Sequence, residues 1–592
     1  MSWEAWYTLA VLAAVLGFLI RGRVSAAVAV FGGNIALLAV GVIDTEQSLA
    51  GFSNPAPLTV AALYVVAAGV QKTGALTPLL HGALGSNGNG RLRRPIARLS
   101  IPAAGASAFL NNTPIVAMAI PEIQTWADKH RVSVSKLLMP ISFAVILGGL
   151  LSVIGTSTNL VVSGLMENAG LGAMGFFEIG KVGLPIAILG ITLMVIISAW
   201  VLPARRSVAQ EMAEQAREFY VELLVQPGGP LDGTTVEQAG LRDLQGVFLT
   251  SVDRGDTVIA PVRPETVLRG GNRLRFAGQA SKVLDLQGRK GLESAESEHV
   301  EALDDPSVRY FEAVIGSRSP LVGSTLKESG FRSNYQAAVV GIHRDGGLIE
   351  AKLGQVRLRV GDTLILVSDP GFKARWDDRE DFLLVAAMND APSAPVSTAK
   401  AWVAIAILAG IIGLATFNVV PIIIGALVGA MLMVAFGVLS ATEARRSIDI
   451  EVIVIIAAAF GLASAMENTG LAESAASGIV SVFGGWGDWG ALLGIVLATV
   501  VLTEMITNNA AALLMFPIGL SLAAGTDLNP VGVAIAIAVA ASASFLTPIG
   551  YQTNTMVYGP GGYRFSDYWR LGLPLTITVV IATVILVPII WP

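Results

Sequence analysis

Two long apolar regions, residues 5–202 and 401–591, flank a more polar central segment. Within each region the apolar runs approach the length of about 20 residues that a helix needs to cross a bilayer. We expect crossings at residues 5–20, 25–43, 57–72, 134–165, 182–202, 401–417, 419–438, 451–467, 531–560 and 572–591. Each apolar region therefore contributes five crossings.

The central segment alternates apolar and polar residues in short runs separated by Gly, Pro and Asp, which is typical of strands joined by turns. Its second part repeats its first at a spacing of 90 residues, as Gly361 repeats Gly271. Each copy is predicted to contain strands and a turn with a short helix, at 233–240 and 323–330. The predicted domains are a first membrane repeat at 1–204, two α+β domains at 205–304 and 305–399, and a second membrane repeat at 400–592.

The two membrane regions repeat each other. Asn112 recurs as Asn508, and the residues around them keep the same spacing of 396. An odd number of crossings inverts the second copy relative to the first, provided that the runs at 98–122 and 494–520 are re-entrant hairpins. The predicted fold is an α-helical polytopic membrane protein with two inverted-topology repeats, each containing a re-entrant hairpin and a broken helix, and a central soluble α+β insert.

Lysine and arginine concentrate in loops that share one side of the membrane if the N-terminus lies outside. These loops are at 21–23, 91–94, 129–136, 205–206, 445–446 and 564–570. The loops predicted for the other side, 468–489 and 524–530, contain neither residue. By the positive-inside rule, we expect a cytoplasmic insert and a multi-pass protein of the inner or plasma membrane.

Composition narrows the function further. The chain is 53% hydrophobic and 14% charged, which excludes an ordinary soluble protein and makes lipid an expected partner. It has no cysteine, and its four histidines lack ligand spacing, so we expect no metal site apart from sodium. No basic run with interleaved aromatic residues indicates nucleic acid, and no nucleophile lies in a glycine elbow, so we expect neither a nucleic-acid partner nor an enzyme.

A polar cluster interrupts each predicted hairpin at its tip. The clusters are Ser107, Asn111, Asn112 and Thr113 in the first, and Thr503, Thr507, Asn508 and Asn509 in the second. A further polar break follows in each half, GTSTN at 155–159 and GYQTN at 550–554. Irregular polar backbone at membrane depth is tolerated only where it is buried in protein or lines a wet cavity. We therefore expect one shared site, although any one of these side chains alone could serve only to join helices.

The chemistry of this site favours an anion with sodium. None of the four interruptions contains Lys, Arg or His. The charge of an anion would be met by helix N-termini, amide donors and co-bound cations, and freed carbonyls with short polar side chains suit sodium. Sodium is thus the expected coupling ion, with no other cofactor. Glu504 could carry a proton. The favoured interpretation is that its carboxylate caps backbone amides or pairs with a bound cation.

These motifs resemble the divalent anion/sodium symporter family, whose hallmark is a Ser-Asn-Thr triplet at each hairpin tip. The triplets here read Asn111-Asn112-Thr113 and Thr507-Asn508-Asn509, within SAFLNNTPIVAMAIP and LTEMITNNAAALLMFP. The resemblance implies a sodium-coupled secondary transporter that forms a homodimer and works by an elevator-like motion.

The resemblance also implies which residues bind. The first sodium would be bound by Ser107, Asn111, Asn112 and Gly155, and the second by Thr503, Ile506, Asn508 and Gly550. The substrate would contact Asn112, Thr113, Thr156, Ser157, Asn508, Asn509, Tyr551, Gln552 and Thr553.

Three departures from the family pattern bear on the substrate. Asn111 replaces the first Ser, and Asn509 replaces the last Thr. Ser157-Thr158 and Gln552-Thr553 replace the prolines that usually precede the loop asparagines. The added amides and hydroxyls suit a compact tetrahedral dianion, and members with an insert resemble the sulfate-type branch, so sulfate is the expected substrate. A C4-dicarboxylate carrier is the main alternative, followed by an ion channel gated by the insert and by a membrane-bound anion sensor.

The two copies in the insert are similar to the C-terminal domain of potassium-uptake regulators, the TrkA-C or RCK C-terminal domain. This likeness implies pairing across a dimer axis and binding of a small anion or nucleotide, so that a cytoplasmic ligand would regulate transport. A purely structural dimerisation module is the alternative.

Overall fold

The computed structural model shows a helical membrane protein whose central segment forms two small β-sheets. It describes residues 2–592 except for 22–23, 75–91, 131, 206–219, 242–243, 245–246, 256, 260–261, 279–290, 295–308, 317–318, 345–346, 350–352, 377–378, 380, 388–397 and 418. Seven described stretches are long and apolar enough to cross a membrane, and shorter apolar helices accompany them. The protein is therefore a multi-pass membrane protein.

The first membrane half contains helices of which three begin with a side-chain cap. Its described helices are α1 (Trp3–Arg21), α2 (Ala26–Val40), α3 (Thr45–Ser53), α4 (Pro55–Lys72), α5 (Arg93–Ser107), α6 (Asn112–His130), α7 (Leu138–Gly148), α8 (Ser157–Asn168) and α9 (Gly180–Val201). Asp44 and Asn54 each accept a backbone N–H bond of 2.8 Å at the starts of α3 and α4. Pro55 follows at the first position of α4, where no N–H donor is needed.

The insert contains two antiparallel five-stranded sheets. The first comprises β1 (Tyr220–Val225), β2 (Val247–Asp253), β3 (Val258–Ile259), β4 (Arg273–Gly278) and β5 (Leu292–Ser294), in the order β3-β2-β4-β1-β5. The second comprises β6 (Arg309–Val314), β7 (Ala338–Arg344), β8 (Gly347–Leu348), β9 (Thr363–Ser368) and β10 (Leu384–Ala387), in the order β10-β6-β9-β7-β8, with short helices α10 (Phe331–Tyr335) and α11 (Phe372–Trp376). The strand order is the same in both. A register shift after Leu249 in β2 recurs after Val339 in β7, so the copies share one fold.

The short helices predicted at 233–240 and 323–330 are wrong. Both segments form hydrogen-bonded turns, because glycines at their ends adopt positive φ angles that a helix cannot contain. Gly233 and Gly240 have φ angles of 83° and 62°, and the equivalent glycines of the second copy behave alike. The predicted limit between the copies, at residues 304 and 305, lies outside the described residues.

The second membrane half follows the insert. Its described helices are α12 (Thr398–Thr416), α13 (Ile422–Ala435), α14 (Ala441–Arg446), α15 (Ile450–Asn468), α16 (Leu471–Phe483), α17 (Gly487–Met505), α18 (Asn508–Ala524), α19 (Pro530–Ser542), α20 (Gln552–Tyr558) and α21 (Phe565–Ile590). The short helices α3 and α14 correspond, and each begins with a capping box, at Asp44 and Ser440. The predicted fold class, with a hairpin and a broken helix in each half, is confirmed.

The hairpins and broken helices lie where the polar interruptions predicted them. Residues 108–111 join α5 to α6, and residues 506–507 join α17 to α18. The fourth predicted crossing of each half is two helices, separated at 149–156 between α7 and α8 and at 543–551 between α19 and α20.

Helices occupy parts of several predicted loops: 445–446 lies in α14, and α21 begins at Phe565 within 564–570. Residues 468–489, expected as an outer loop, contain α16, which packs against α18. Leu471, Ala472 and Ala476 are buried on one face of α16, so an apolar stripe accounts for the helix.

The core of the membrane part surrounds α7 and α19. Every residue of α7 is buried, and so is α19 from Gly532 to Ser542. Helices that are apolar on all sides are enclosed by protein. The hairpin helices pack directly on them, α5 on α7 and α17 and α18 on α19, so these two helices form the walls behind the polar interruptions.

Candidate transport site

The first hairpin closes on itself and on α7 through one hydroxyl. Ser107, the last residue of α5, donates to the backbone carbonyl of Val145 at 2.6 Å. It also contacts the side-chain oxygen of Asn112, the first residue of α6. Ser107 and Asn112 are both buried, and Asn111 beside them is partly exposed. A hydroxyl oxygen and an amide oxygen thus lie together at the hairpin tip.

The second hairpin repeats this arrangement. Thr503 donates to the carbonyl of Ala541 on α19 at 2.5 Å and to the side-chain oxygen of Asn508 at 2.9 Å. These residues lie 396 positions after their counterparts in the first hairpin. Ile506 is buried at the tip, and its N–H donates to the Leu502 carbonyl at 3.0 Å.

An asparagine holds each helix break in place. The amide of Asn159 donates to the carbonyls of Gly149 and Ser152, both at 2.9 Å. Asn554 does the same with Ser544 at 2.9 Å and with Thr547 at 3.3 Å. Both asparagines are fully buried. They satisfy carbonyls that the interrupted helices leave without helical partners, which is what broken backbone at membrane depth requires.

Each hairpin also contacts the break of the opposite half. Asn112 donates through its amide to the Tyr551 hydroxyl at 2.8 Å. In the mirror arrangement, Ser157 and Thr158 donate to the side-chain oxygen of Asn509 at 3.1 and 3.0 Å. These contacts join the first hairpin to the second break and the second hairpin to the first break.

A second contact ties the second break to the first hairpin, and Glu504 ties the second hairpin to the same break. The Glu504 carboxylate accepts from the Leu546 N–H and from the Thr547 hydroxyl, both at 2.8 Å. Thr113 donates to the side-chain oxygen of Gln552 at 3.0 Å, although Gln552 is exposed. All four polar interruptions therefore form one contiguous cluster.

Two glycines allow the breaks to close tightly. A Cβ at Gly155 would lie 2.6 Å from the Gly149 carbonyl oxygen. A Cβ at Gly550 would overlap the Ser544 hydroxyl and lie 2.9 Å from the Glu504 carboxylate. Only glycine fits either position without a shift of its neighbours, so backbone carbonyls remain close to the hairpin tips.

Glu504 caps the second break. Its carboxylate accepts the Leu546 N–H at 2.8 Å and the Thr547 hydroxyl at 2.8 Å. The corresponding residue of the first hairpin is Ala108. A single carboxylate therefore distinguishes the second half of the cluster from the first. Among the described residues, no group of three or more His, Cys, Asp or Glu side chains could hold a metal ion.

A small cavity of about 40 Å³ lies at the tip of the first hairpin. Asn111, Gly155, Thr156 and Ser157 form its polar side, and α4 contributes much of its apolar side. A space of this size admits an ion or a water molecule.

Two residues that contact the cluster, Ser142 and Thr158, are absent from the site residues assigned from the sequence. Thr553, predicted to bind substrate, is fully buried and accepts a hydrogen bond from Ser142 on α7 at 3.0 Å. Ser142 also donates to the side-chain oxygen of Asn554 at 2.7 Å. Its isolated polar position in the apolar run LMPISFAVILG was the available signal. Thr158 lies in the GTSTN motif, but it is not among the residues expected to contact the substrate.

A known protein family matches most of the chain. The citrate transporter family model, CitMHS, matches residues 15–527 and 414–591. The chain belongs to the citrate transporter family. This membership confirms the likeness to divalent anion/sodium symporters that the hairpin motifs predicted. The likeness of the insert to potassium-uptake regulators stays a prediction.

The matches to several relatives cover nearly the whole chain. An uncharacterized transporter of Synechocystis is 36% identical over 569 residues, covering 94% of this chain and 92% of the relative. A putative sulfur deprivation response regulator of Chlamydomonas reinhardtii is 34% identical over 579 residues, covering 96% and 98%. Sodium/sulfate cotransporter 1 of the same alga is 24% identical over 747 residues, covering 91% and 84%. The protein is a membrane transporter and not an enzyme.

Proposed function

We propose that the protein is a sodium-coupled secondary transporter of a small divalent anion, and that this anion is sulfate. The observation that supports this most directly is the contiguous polar cluster between the two halves. Asn112 contacts Tyr551 and Ser157 contacts Asn509, and no cationic side chain stands among the four interruptions. A site of this kind requires another source of positive charge to hold a dianion.

Sodium is the proposed source of that charge. Each hairpin offers a hydroxyl and an amide oxygen side by side, in Ser107 with Asn112 and in Thr503 with Asn508. Broken helices in transporters add backbone carbonyls to such sites. Two cations beside a dianion offset much of the electrostatic cost of a low-dielectric site, so anion and sodium binding should strengthen each other.

Helix N-termini and neutral donors complete the proposed anion site. Helices α6, α8 and α18 begin at Asn112, Ser157 and Asn508, all within the cluster. Their N-terminal amides carry partial positive charge, which favours a bound anion. The Tyr551 hydroxyl and the threonine hydroxyls add donors that fit a compact oxyanion.

Sulfate is preferred because relatives along the whole chain are named for sulfur chemistry. Sodium/sulfate cotransporters and a sulfur deprivation response regulator are among them. The family name itself favours a carboxylate, so a C4-dicarboxylate or citrate is the second candidate. The proposal includes an elevator-type motion in a homodimer and regulation by a small ligand at the insert.

Uptake into proteoliposomes tests this proposal. An inward sodium gradient should drive accumulation of labelled sulfate above equilibrium, and succinate or citrate should not compete. Asn112→Ala and Asn508→Ala should each abolish uptake, because each removes an oxygen from one hairpin cradle and the first also removes the contact to Tyr551. Asn468→Ala, at the end of α15 and outside the cluster, is the matched control and should transport normally.

The outcomes separate the candidates. Sodium-driven uptake of succinate or citrate without sulfate would favour the carboxylate. Passive anion currents that no sodium gradient can drive uphill would favour a channel. Binding without any accumulation would leave a sensor, and would overturn the transporter proposed here.

A further inference from the structure

The second sheet of the insert contacts two helices that begin at the polar cluster, α6 and α20. Gln124 on α6 donates to the Glu312 carboxylate on β6 at 3.3 Å. At the end of α20, a Cβ at Gly559 would overlap the Thr363 hydroxyl of β9, so the two backbones approach closely. The sheet therefore bridges one helix of the first half and one of the second.

The contact has an apolar core. Val314, Leu384 and Ala386 are buried and belong to the same hydrophobic cluster as the membrane helices. Phe311 and the rest of the sheet's interior form a cluster of their own. Every residue of β9 is buried, so one face of the sheet is covered by its own domain and the other by the membrane part.

Among the described residues, the same face of the first sheet is more exposed. Thr363 and Ile365 of β9 correspond to Arg273 and Arg275 of β4 at the 90-residue spacing. Arg273 is exposed and Arg275 is partly exposed. Among the described residues, no member of the first sheet joins the membrane cluster. Burying two guanidinium groups at an apolar contact is costly, so β4 prevents the docking that β9 permits.

Helices α6 and α20 are thus joined at both ends. Asn112 donates to Tyr551 at the cluster, and α6 packs along α20. At the far end, the second sheet contacts both Gln124 and Gly559. Gln124 lies about 18 Å along the helix axis from Asn112, at about 1.5 Å per residue. Helix α6 is continuous over that length, although Pro121 lies within it, and its packing on α20 allows a displacement at the sheet to reach the cluster.

We infer that the second sheet is a positioning element of the transport site: it holds α6 and α20 in register and moves with them as one body. The described residues of the first sheet make no such contact with the membrane cluster. This inference rests on the proposed function, because the site that it positions is the proposed anion site. A ligand that shifts the insert would reach the site through Gln124 and Gly559.

Exchanging the equivalent residues of the two copies tests the inference. Thr363→Arg places the charge of the first sheet in the docked face, and the sheet should separate from α20. We expect KM for the anion to rise about tenfold, equivalent to about 1.4 kcal/mol of lost binding. Arg273→Thr is the reverse exchange and should leave KM unchanged, and Thr363→Ser should retain the wild-type value.

KM of the folded, monodisperse protein is the deciding quantity, because a merely structural role would lower the yield and leave KM unchanged. A folded Thr363→Arg protein with wild-type KM would overturn the inference. Failure of the proposed function would be distinguishable, since the wild-type protein itself would then accumulate no anion under a sodium gradient.

Cross-linking provides a second measurement that does not require Thr363→Arg to fold. The chain has no cysteine, so Gln124→Cys with Glu312→Cys introduces the only thiol pair. A cleavable thiol cross-linker of short span should join them in high yield, and uptake should stay within about twofold of the unlinked protein, a change of about 0.4 kcal/mol or less. Little cross-linking, or uptake that is lost on linking and recovered on cleavage, would show that the sheet does not travel with the helices.

Discussion

The two halves of the polar cluster share a hydroxyl beside an asparagine at each hairpin tip, and they differ in charge. In each hairpin a hydroxyl, from Ser107 or Thr503, donates to a carbonyl 38 residues later and meets the asparagine that begins the next helix. Directly after the residue with this hydroxyl, the first hairpin has Ala108 and the second has Glu504. The shared part is what a repeated ligand such as sodium requires, and the carboxylate makes the second half the more strongly negative of the two.

The halves also close their breaks differently. Gly155 faces the backbone of Gly149, whereas Gly550 faces the side chains of Ser544 and Glu504. A backbone contact cannot yield without moving the loop, but a side chain can rotate or be shortened. The first break should therefore tolerate less change than the second.

Among the changes that distinguish the two halves, Gly155→Ala is expected to have the largest effect. The added Cβ would lie 2.6 Å from the Gly149 carbonyl oxygen, so the break must move. Sodium-dependent uptake should fall by about a hundredfold, because small displacements of a preorganised site are costly. Gly105→Ala, whose Cβ would meet open space on α5, is the control and should transport normally.

The matching change in the second half sharpens this contrast. Gly550→Ala should be milder than Gly155→Ala, and adding Ser544→Gly, which copies Gly149, should recover most of the uptake. Equal damage from both alanines, with no recovery in the double variant, would show that the two breaks do not differ as described.

Glu504→Gln addresses the charge difference and is expected to rank next. The carboxylate accepts hydrogen bonds from Leu546 and Thr547, and a hydrogen bond to a charged group contributes about 1.5–3 kcal/mol. The sodium concentration for half-maximal uptake should therefore rise about tenfold to a hundredfold. Glu473→Gln, at an exposed position of α16, is the control. An unchanged sodium dependence would mean that the carboxylate has no part in cation binding.

Removal of either hairpin hydroxyl should have a smaller effect, and the same effect in both halves. One neutral hydrogen bond contributes about 1 kcal/mol, so Ser107→Ala and Thr503→Val should each weaken apparent sodium affinity about fivefold. Ser107→Thr and Thr503→Ser keep the hydroxyl and serve as controls. A large difference in apparent sodium affinity between Ser107→Ala and Thr503→Val would show that the two hairpin tips do not bind sodium in the same way.

The smallest effect concerns the capping boxes of α3 and α14. The Lys72 ammonium and the Ser440 N–H lower the pKa of Glu443 to about 2 from its usual 4.5, whereas the equivalent residue in α3 is Gln47. Since the folded pKa is depressed, the stabilisation is present above pH 4.5 and is lost as pH falls towards about 2. Glu443→Gln should remove this acid dependence of the unfolding temperature. The change should be small, because the ion pair between Lys72 and Glu443 is exposed. If the unfolding temperature of Glu443→Gln fell with acid as in the wild type, the prediction would be contradicted. Lys72→Met should also reduce the acid dependence of the unfolding temperature.

Much of the fold could be predicted because two repeats constrained it. The spacing between Asn112 and Asn508 aligned the hairpins, and polar runs in apolar helices located the breaks at 155–159 and 550–554. The strands of the insert followed from alternation and from the 90-residue spacing. The turns at 233–240 were misjudged, because their glycines adopt positive φ, which a sequence pattern read as helical does not reveal.

The partners across the halves could not be predicted in the same way. Which hairpin meets which break depends on how α6 packs against α20 and α8 against α18, and such long-range packing leaves no periodic signal. The contact between Asn112 and Tyr551 was therefore outside the reach of sequence patterns. The docking of one sheet and not the other depends on a few outward residues such as Thr363 and Arg273.

The crossed hydrogen bonds have a consequence for how the protein must be made. Because Asn112 contacts Tyr551 and Asn509 contacts Thr158, neither half alone encloses a complete pocket. Two separate polypeptides would need to be synthesised in equal amounts and to find each other within the bilayer. Fusion of both halves into one reading frame fixes their ratio at one to one and leaves no orphan half with its polar tip exposed to lipid.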